Sequence, residues 1–318
     1  VDLMMASRLF SCGRNVQGEL GLGEYLPEDS KPYSAAENRA DPVADLDDEL
    51  FGMVDKRKIT PKPKAATVTE KEKVKPSDDS KGGTFGGRGK DKISVPMEVE
   101  ETPEGIVLVS CGLYHSAVIA AKNTMYSWGA DNSGQCGHGR STNQWEPKWV
   151  MAVTGKVVSD IAGGRTHTLI VAGGQVYTWG ASSYGALAQS DNYDQLNPCL
   201  VRQFKGIAIK QVSCGCDYSV ALSNSGDIYA WGRADTGRLG IKLVKGKRFE
   251  HIPRPITGLG GKVASVCAGH SHSLCVMESG ILYAWGTNTF GQLGTGDVIP
   301  RPTPHRVKID IPHETFGK

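Results

Sequence analysis

The chain holds no run of about 18 or more consecutive apolar residues, so it offers no helix for crossing a membrane. Val1 to Met5 lack the charged and apolar regions of a secretory leader. A dominant charge sign is also missing. Against 36 Lys and Arg stand 34 Asp and Glu, a net of +2. That balance argues against nucleic acid as a partner, since a protein that coats it carries a strong positive excess. Cysteines at metal or redox spacing are absent as well. Among 8 cysteines, Cys214 and Cys216 are separated only by Gly215, and no second pair follows at zinc spacing. Cys12, Cys111, Cys136, Cys214, Cys267 and Cys275 fall where small residues recur. This predicts reduced, buried thiols in an intracellular protein rather than a disulfide framework, with the compartment open between cytoplasm, nucleus, organelle and cilium. No nucleophile paired with a base, no carboxylate dyad and no cofactor cradle stands out, so no catalytic residue, metal or cofactor is expected. The stretch from Gly82 to Lys90 has the look of a phosphate loop, but Thr84 holds the place of its first glycine and Asp91 that of its hydroxyl residue.

What is present in abundance is glycine, at 40 residues, and it recurs in register. Leu282-Tyr283-Ala284-Trp285-Gly286 is followed by Phe290-Gly291-Gln292-Leu293-Gly294. The pattern repeats around Trp128-Gly129, Trp179-Gly180 and Trp231-Gly232, with a divergent first copy at Cys12-Gly13. The Trp-Gly steps are 51, 52 and 54 residues apart. A period near 50 is the mark of a solenoid or propeller array.

Each unit carries further fixed points. Pro-x-x-[Val/Ile] recurs at Pro96, Pro147, Pro198, Pro253 and Pro304, and is read as the opening of a unit. Proline lacks a ladder donor and so marks a strand start or an edge. An apolar strand then ends in Gly-x-x-His, at Gly112/His115, Gly164/His167 and Gly269/His272, with Tyr218 in place of His after Gly215. A second strand, a glycine hairpin and the Tyr-x-Trp-Gly strand follow. Three or four short antiparallel strands per repeat make a propeller blade. Trp128, Trp179, Trp231 and Trp285 are plates suited to packing between adjacent sheets. His115, His167, Tyr218 and His272 hold one place in successive blades, which predicts buried structural residues hydrogen-bonded to their neighbours.

Residues 25–91 interrupt the pattern between a half-blade at 1–24 and the blades of 92–318. This insert is polar and carries Pro61, Pro63, Pro76 and a Gly-rich run from Gly82 to Gly89. Such a composition buries too little apolar surface to fold alone. Within it, Val43, Leu46, Leu50 and Val54 recur at helical spacing, with Phe51 beside them. Two readings stand: a transient helix in a disordered loop, or a docking helix that lays Leu46, Leu50 and Val54 into a partner groove. Trp145 and Trp149 lie outside the repeating Trp position and are candidate anchors for a partner, or else Trp149 fills the blade interface ahead of Val150. Lys242, Lys245, Lys247 and Arg248, with Arg254 nearby, form a basic loop suited to an acidic partner or phosphates, or simply to water.

Taken together, these residues resemble the regulator of chromosome condensation repeat family, whose signature joins Pro-x-x-Val, Gly-x-x-His-[Ser/Thr], Tyr-x-Trp-Gly and Gly-Gln-Leu-Gly. The match covers residues 6–23 and 92–310. The resemblance implies an all-β, seven-bladed propeller, of which about five blades' worth is present, so the chain is expected to continue past Lys318 or to form an open arc. The expected function is a non-enzymatic scaffold that binds protein partners, a small GTPase or a large assembly among them, through its inter-blade loops and the insert. The alternative implied by the family is guanine-nucleotide exchange on a Ran-like small GTPase, and a third reading is attachment to chromatin or RNA.

Overall fold

The computed structural model describes residues 10–14 and 92–98 as backbone strands, and residues 105–190, 193–242 and 246–309 in full. Leu46, Leu50, Phe51, Val54 and Lys245 lie outside the described residues. The described stretches all belong to the unit made of residues 1–25 and 90–318.

Strand β1 (Phe10–Arg14) pairs antiparallel with β2 (Lys92–Glu98). Four complete four-stranded sheets follow. The first is β3 (Ile106–Cys111), β4 (His115–Ala120), β5 (Thr124–Gly129) and β6 (Gln144–Trp149). The second is β7 (Val158–Gly163), β8 (His167–Ala172), β9 (Gln175–Gly180) and β10 (Gln195–Leu200). The third is β11 (Ile209–Cys214), β12 (Tyr218–Ser223), β13 (Ile228–Arg233) and β14 (Phe249–Pro255). The fourth is β15 (Val263–Ala268), β16 (His272–Met277), β17 (Leu282–Gly286) and β18 (Arg301–Val307). Every sheet is an antiparallel meander. The first strands lie side by side, β3 against β7, β7 against β11 and β11 against β15. These are propeller blades packed face to face around their inner strands.

Burial follows from that packing. The second strand of a blade has sheet on both sides and a neighbouring blade on each face. Where both neighbours are present it is therefore buried throughout rather than alternating, as β8 and β12 are at every position. The core consists of successive seams. Ile119, Met125, Val150, Ile170 and Trp179 fill the first, Val171, Val201, Phe204, Val212 and Trp231 the second, and Leu222, Leu239, Val266, Met277 and Trp285 the third.

The structure corrects two expectations. Pro147, Pro198, Pro253 and Pro304 sit inside β6, β10, β14 and β18, the fourth and outermost strands, so the Pro-x-x-[Val/Ile] segment closes a blade instead of opening the next. A proline without a donor is accommodated on an edge as readily as at a strand start. The cysteine expectation is corrected in part. All seven described cysteines are free thiols, yet Cys111 and Cys267 are exposed and only Cys136, Cys216 and Cys275 are buried. Cys111 and Cys267 lie on the innermost strands of the first and last of the four complete blades, which have a complete blade beside them on one face alone.

One turn departs from its siblings. Gly137 and Gly240 end the Gly-Gln-Leu-Gly-type turns of the first and third blades at φ of +79° and +68°. The second blade has Ala188 there, at φ of +53° and almost fully buried. Left-handed backbone costs an L-residue roughly 1–2 kcal/mol that glycine does not incur. Ala188→Gly is therefore expected to raise stability by about 0.5–1 kcal/mol in urea unfolding. A loss of stability would show that the buried methyl outweighs the strain.

Candidate functional site

The repeating residues build the seams. In the first seam Gln135 of one blade offers its backbone carbonyl to the next, where Trp179 Nε1 donates to it at 2.9 Å and Thr168 Oγ1 at 2.7 Å. His115 Nε2 lies 2.8 Å from the same Thr168 hydroxyl. Since that hydroxyl gives its proton to Gln135, the imidazole must donate through Nε2, which leaves Nδ1 bare and buried. The second seam repeats this. Trp231 Nε1 and Ser219 Oγ donate to the Ala186 carbonyl at 2.7 and 2.9 Å, and His167 Nε2 stands 3.1 Å from Ser219 Oγ. In the third, Trp285 Nε1 and Ser273 Oγ donate to the Arg238 carbonyl at 3.0 and 3.2 Å, and Tyr218 Oη lies 2.9 Å from Ser273 Oγ. Burial holds His115 down to about 3, with the His167 charge adding to the effect, and burial holds His167 down to about 4. Both rings are neutral structural pins.

The glycine three residues before each ring exists to make room for it. A β-carbon on Gly164 would sit 2.1 Å from His167 Cε1, and one on Gly215 would sit 1.8 Å from Tyr218 Cε1. The ring lies flat on the glycine, which fixes Gly-x-x-His as a unit.

The two residues between that glycine and that ring differ from blade to blade, and the first of them faces the axis. Leu113, Arg165, Cys216 and His270 come together around a cavity of about 190 Å³ whose floor is the four glycine turns. Backbone bonds across the blades tie this floor: Leu113 N to Gly164 O at 3.0 Å, Arg165 N to Cys216 O at 3.1 Å and Cys216 N to His270 O at 3.0 Å. Arg165 Nη1 is 4.0 Å from Cys216 Sγ. Burial pushes the Cys216 thiol up to about 11, with the neighbouring Asp217 adding to it, so it is no nucleophile at neutral pH. Asp217 in turn meets Arg233 at 3.4 Å, and Arg233 meets Asp235 at 2.9 Å. The cleft thus presents a cation, an imidazole and an apolar side chain on a rigid base.

A sequence profile for the RCC1-like domain matches residues 77–316, well over half of the chain. The chain belongs to the RCC1-like domain family. The ultraviolet-B receptor UVR8 of Arabidopsis thaliana is 32% identical over 213 residues, covering 66% of this chain and 48% of that protein. The human E3 ubiquitin-protein ligase HERC2 is 33% identical over 237 residues, covering 73% of this chain and 5% of the ligase. The chain therefore spans about half the length of the plant receptor and a small part of the ligase. Among solved structures, Prp20p from Saccharomyces cerevisiae, described together with its binding to Gsp1p and histones, superposes with a TM-score of 0.61 at 24% identity. That match covers 70% of this chain and 55% of Prp20p, and shows the fold.

Within this RCC1-like propeller the expected structural positions fall together. Trp179, Trp231 and Trp285 are fully buried in the seams and Trp128 nearly so, while His115, His167 and Tyr218 each reach into the next blade. His272, in the last described blade, is half-buried. The described members of the expected partner-binding set, Trp145, Trp149, Lys247 and Arg248, do not converge. Trp145 and Trp149 lie on the outer strand β6, Trp149 being 41% exposed and opposite Tyr126, so it does not fill a blade interface. Lys247 and Arg248 are exposed ahead of β14, on a different blade. Sequence reasoning missed Arg165 and His270 as a pair, and it missed Arg238, a fully buried arginine over the Tyr218 ring at 6.0 Å and 3.2 Å from Asp235. A signal was available: between fixed glycine and fixed ring, these two positions are the ones that change. Among the described residues no helix is long and apolar enough to cross a membrane, and no His, Cys, Asp and Glu cluster suits a metal.

Proposed function

We propose that this RCC1-like chain is a non-enzymatic propeller that binds protein partners at the axial cleft. The observation that carries the reading is the contrast within Gly-x-x-His. Its glycine and ring recur, with His115, His167 and Tyr218 sealed into the seams, while Leu113, Arg165, Cys216 and His270 are all different and line one cleft, Cys216 from a buried position. A rigid frame that displays unlike side chains suits recognition, and hot spots favour arginine and aromatic groups. Trp145 and Trp149, and the segment with Leu46, Leu50, Phe51 and Val54, are proposed as additional contacts, and free thiols suit an intracellular setting.

Affinity capture with the full chain tests this, using Arg165→Glu with His270→Glu beside the unaltered protein. A partner captured by the unaltered chain is expected to fall about tenfold or more with the double variant, a typical loss for two contact residues. Retention of every partner would overturn the assignment. If a small GTPase is instead gained when EDTA strips its nucleotide, exchange becomes the better reading.

A further inference from the structure

We infer that the groove between the outer strands of the third and fourth blades is a second docking site, taking an acidic segment of a partner protein. This rests on the protein-binding reading and adds a place and a chemistry. The cavity holds about 640 Å³ and is lined by Lys242, Lys247, Glu250, Arg254, Pro255 and Pro304, among others.

Beside the groove, a side-chain tie made in the first two blades is missing. In the first blade His138 Nε2 reaches back to the Ser127 hydroxyl at 3.1 Å. In the second, Gln189 Nε2 reaches the Thr178 hydroxyl at 3.2 Å and the Leu200 carbonyl at 3.5 Å. These side chains tie the outer turn to the Trp strand. The third blade has Ile241 and Ala230 at the same two positions, in register, and neither carries a hydrogen-bonding group. Ile241 turns to the apolar core instead.

Cations line the groove. Glu250 is buried, and its Oε2 alone receives Lys247 Nζ at 2.8 Å and Arg254 Nε at 3.2 Å. Lys242 is exposed and lines the same groove. Three cations around one carboxylate leave a positive excess in a walled space, where water screens less than on an open surface. Glu250 engages Arg254 through Nε, which aims the terminal N–H groups of the fork outward. That is the geometry of bidentate carboxylate recognition. Pro255 and Pro304 remove two backbone donors from the edges, so a ligand is held by side chains and apolar contact rather than by strand pairing. A carboxylate-bearing extended peptide fits this combination.

The test uses a fluorescein-labelled peptide of alternating Glu and Pro, its counterpart with Gln at each Glu, and a fluorescein-labelled oligothymidine of matching charge. Binding to the full chain is read by fluorescence anisotropy. The Glu-Pro peptide is expected to bind about tenfold or more tightly than the Gln-Pro peptide and to weaken as salt rises. Arg254→Glu with Lys242→Glu is expected to weaken it about tenfold or more. So is Ala230→Thr with Ile241→Gln, which installs the second blade's tie and adds no charge. Thermal unfolding of both variants shows that the fold is kept. Equal binding of the two peptides, unchanged binding by either variant, or tighter binding of the oligothymidine would overturn the inference. Loss of the peptide with Arg165→Glu in its place would move the site to the axial cleft, ending this inference while the protein-binding reading stands.

Discussion

A chain carrying Gly164→Ala is expected to lose about 3 kcal/mol of stability or more, at the upper end of what an extra core carbon costs. The added carbon would lie 2.1 Å from His167 Cε1 and 2.5 Å from Nδ1. Ring tips often swing aside, but this one is fully enclosed and held through Nε2 to Ser219 at 3.1 Å. Ser219 is in turn bonded to the Ala186 carbonyl that also anchors Trp231. Moving the ring therefore strains the whole seam. The same substitution at Gly206 is a control, because it has a φ of +82° and nothing within 4 Å of the new carbon. There the cost is the left-handed strain alone, about 1 kcal/mol. A double-mutant cycle isolates the cause. His167→Ala should itself cost about 2–4 kcal/mol through lost packing and a lost hydrogen bond. In that background Gly164→Ala should cost under about 1 kcal/mol, since the ring that blocked it is gone. An equal penalty in both backgrounds, measured by urea unfolding, would mean that ring and glycine are not coupled.

Asp131→Asn is expected to stabilise the chain by on the order of 2–4 kcal/mol at pH 8 and to make little difference near pH 4. Asp131 is fully buried, and its Oδ1 accepts the Cys136 N–H at 2.8 Å while its Oδ2 has no partner. Burial raises its carboxyl from 3.8 to about 7, against the pull of the Cys136 N–H and of Arg140. The folded form thus binds a proton more tightly than the unfolded form. That contribution is present at low pH and is lost as pH rises from about 4 through about 7. The fourth blade shows the solution. Asn288 occupies the equivalent position, accepts the Leu293 N–H at 3.0 Å and donates to the Asp297 carbonyl at 2.9 Å. On the acid side the opposite holds. His115 and His167 are kept below 6.5, so their contribution is present above 6.5 and is lost as pH falls toward 4 and 3. Asp131→Asn should therefore change little below about pH 4, give a gain that grows between about 4 and 7, and hold that gain level at higher pH, while the histidine-driven loss toward acid remains. A gain that is constant across the range would assign the effect to something other than this carboxyl.

The parts of the molecule written in local backbone requirements were legible from the sequence. Trp179, Gly180 and the turn behind them announce a blade because each needs a particular residue type at a fixed offset. Gly164 and His167 do so for the same reason. The phase of the repeat was harder to read, since Pro198 satisfies a strand start and a strand edge equally. Arg238 was invisible because a charged residue is placed on the surface by default, while its surroundings come from Tyr218 on a strand as well as from Asp235 in its own turn. The axial cleft was hidden for a different reason. Arg165 and His270 belong to segments two repeats apart, and only the sequence of blades brings them to one axis. Beside the groove, at Ile241, a hydrogen bond is not made, and such an absence has meaning only once the blades are set in register.

The seams carry one more implication, for how such chains change over time. The acceptor that joins each blade to the next is a backbone carbonyl, borne by Gln135 in one turn, Ala186 in another and Arg238 in a third. Its side chain is irrelevant to the joint. Neighbouring blades consequently need not co-evolve at their most important contact, and a blade copied, deleted or exchanged by recombination arrives with a fitting that any other blade accepts. The unlike residues of the cleft and the untied third blade are then variations that individual units could acquire without disturbing the assembly as a whole.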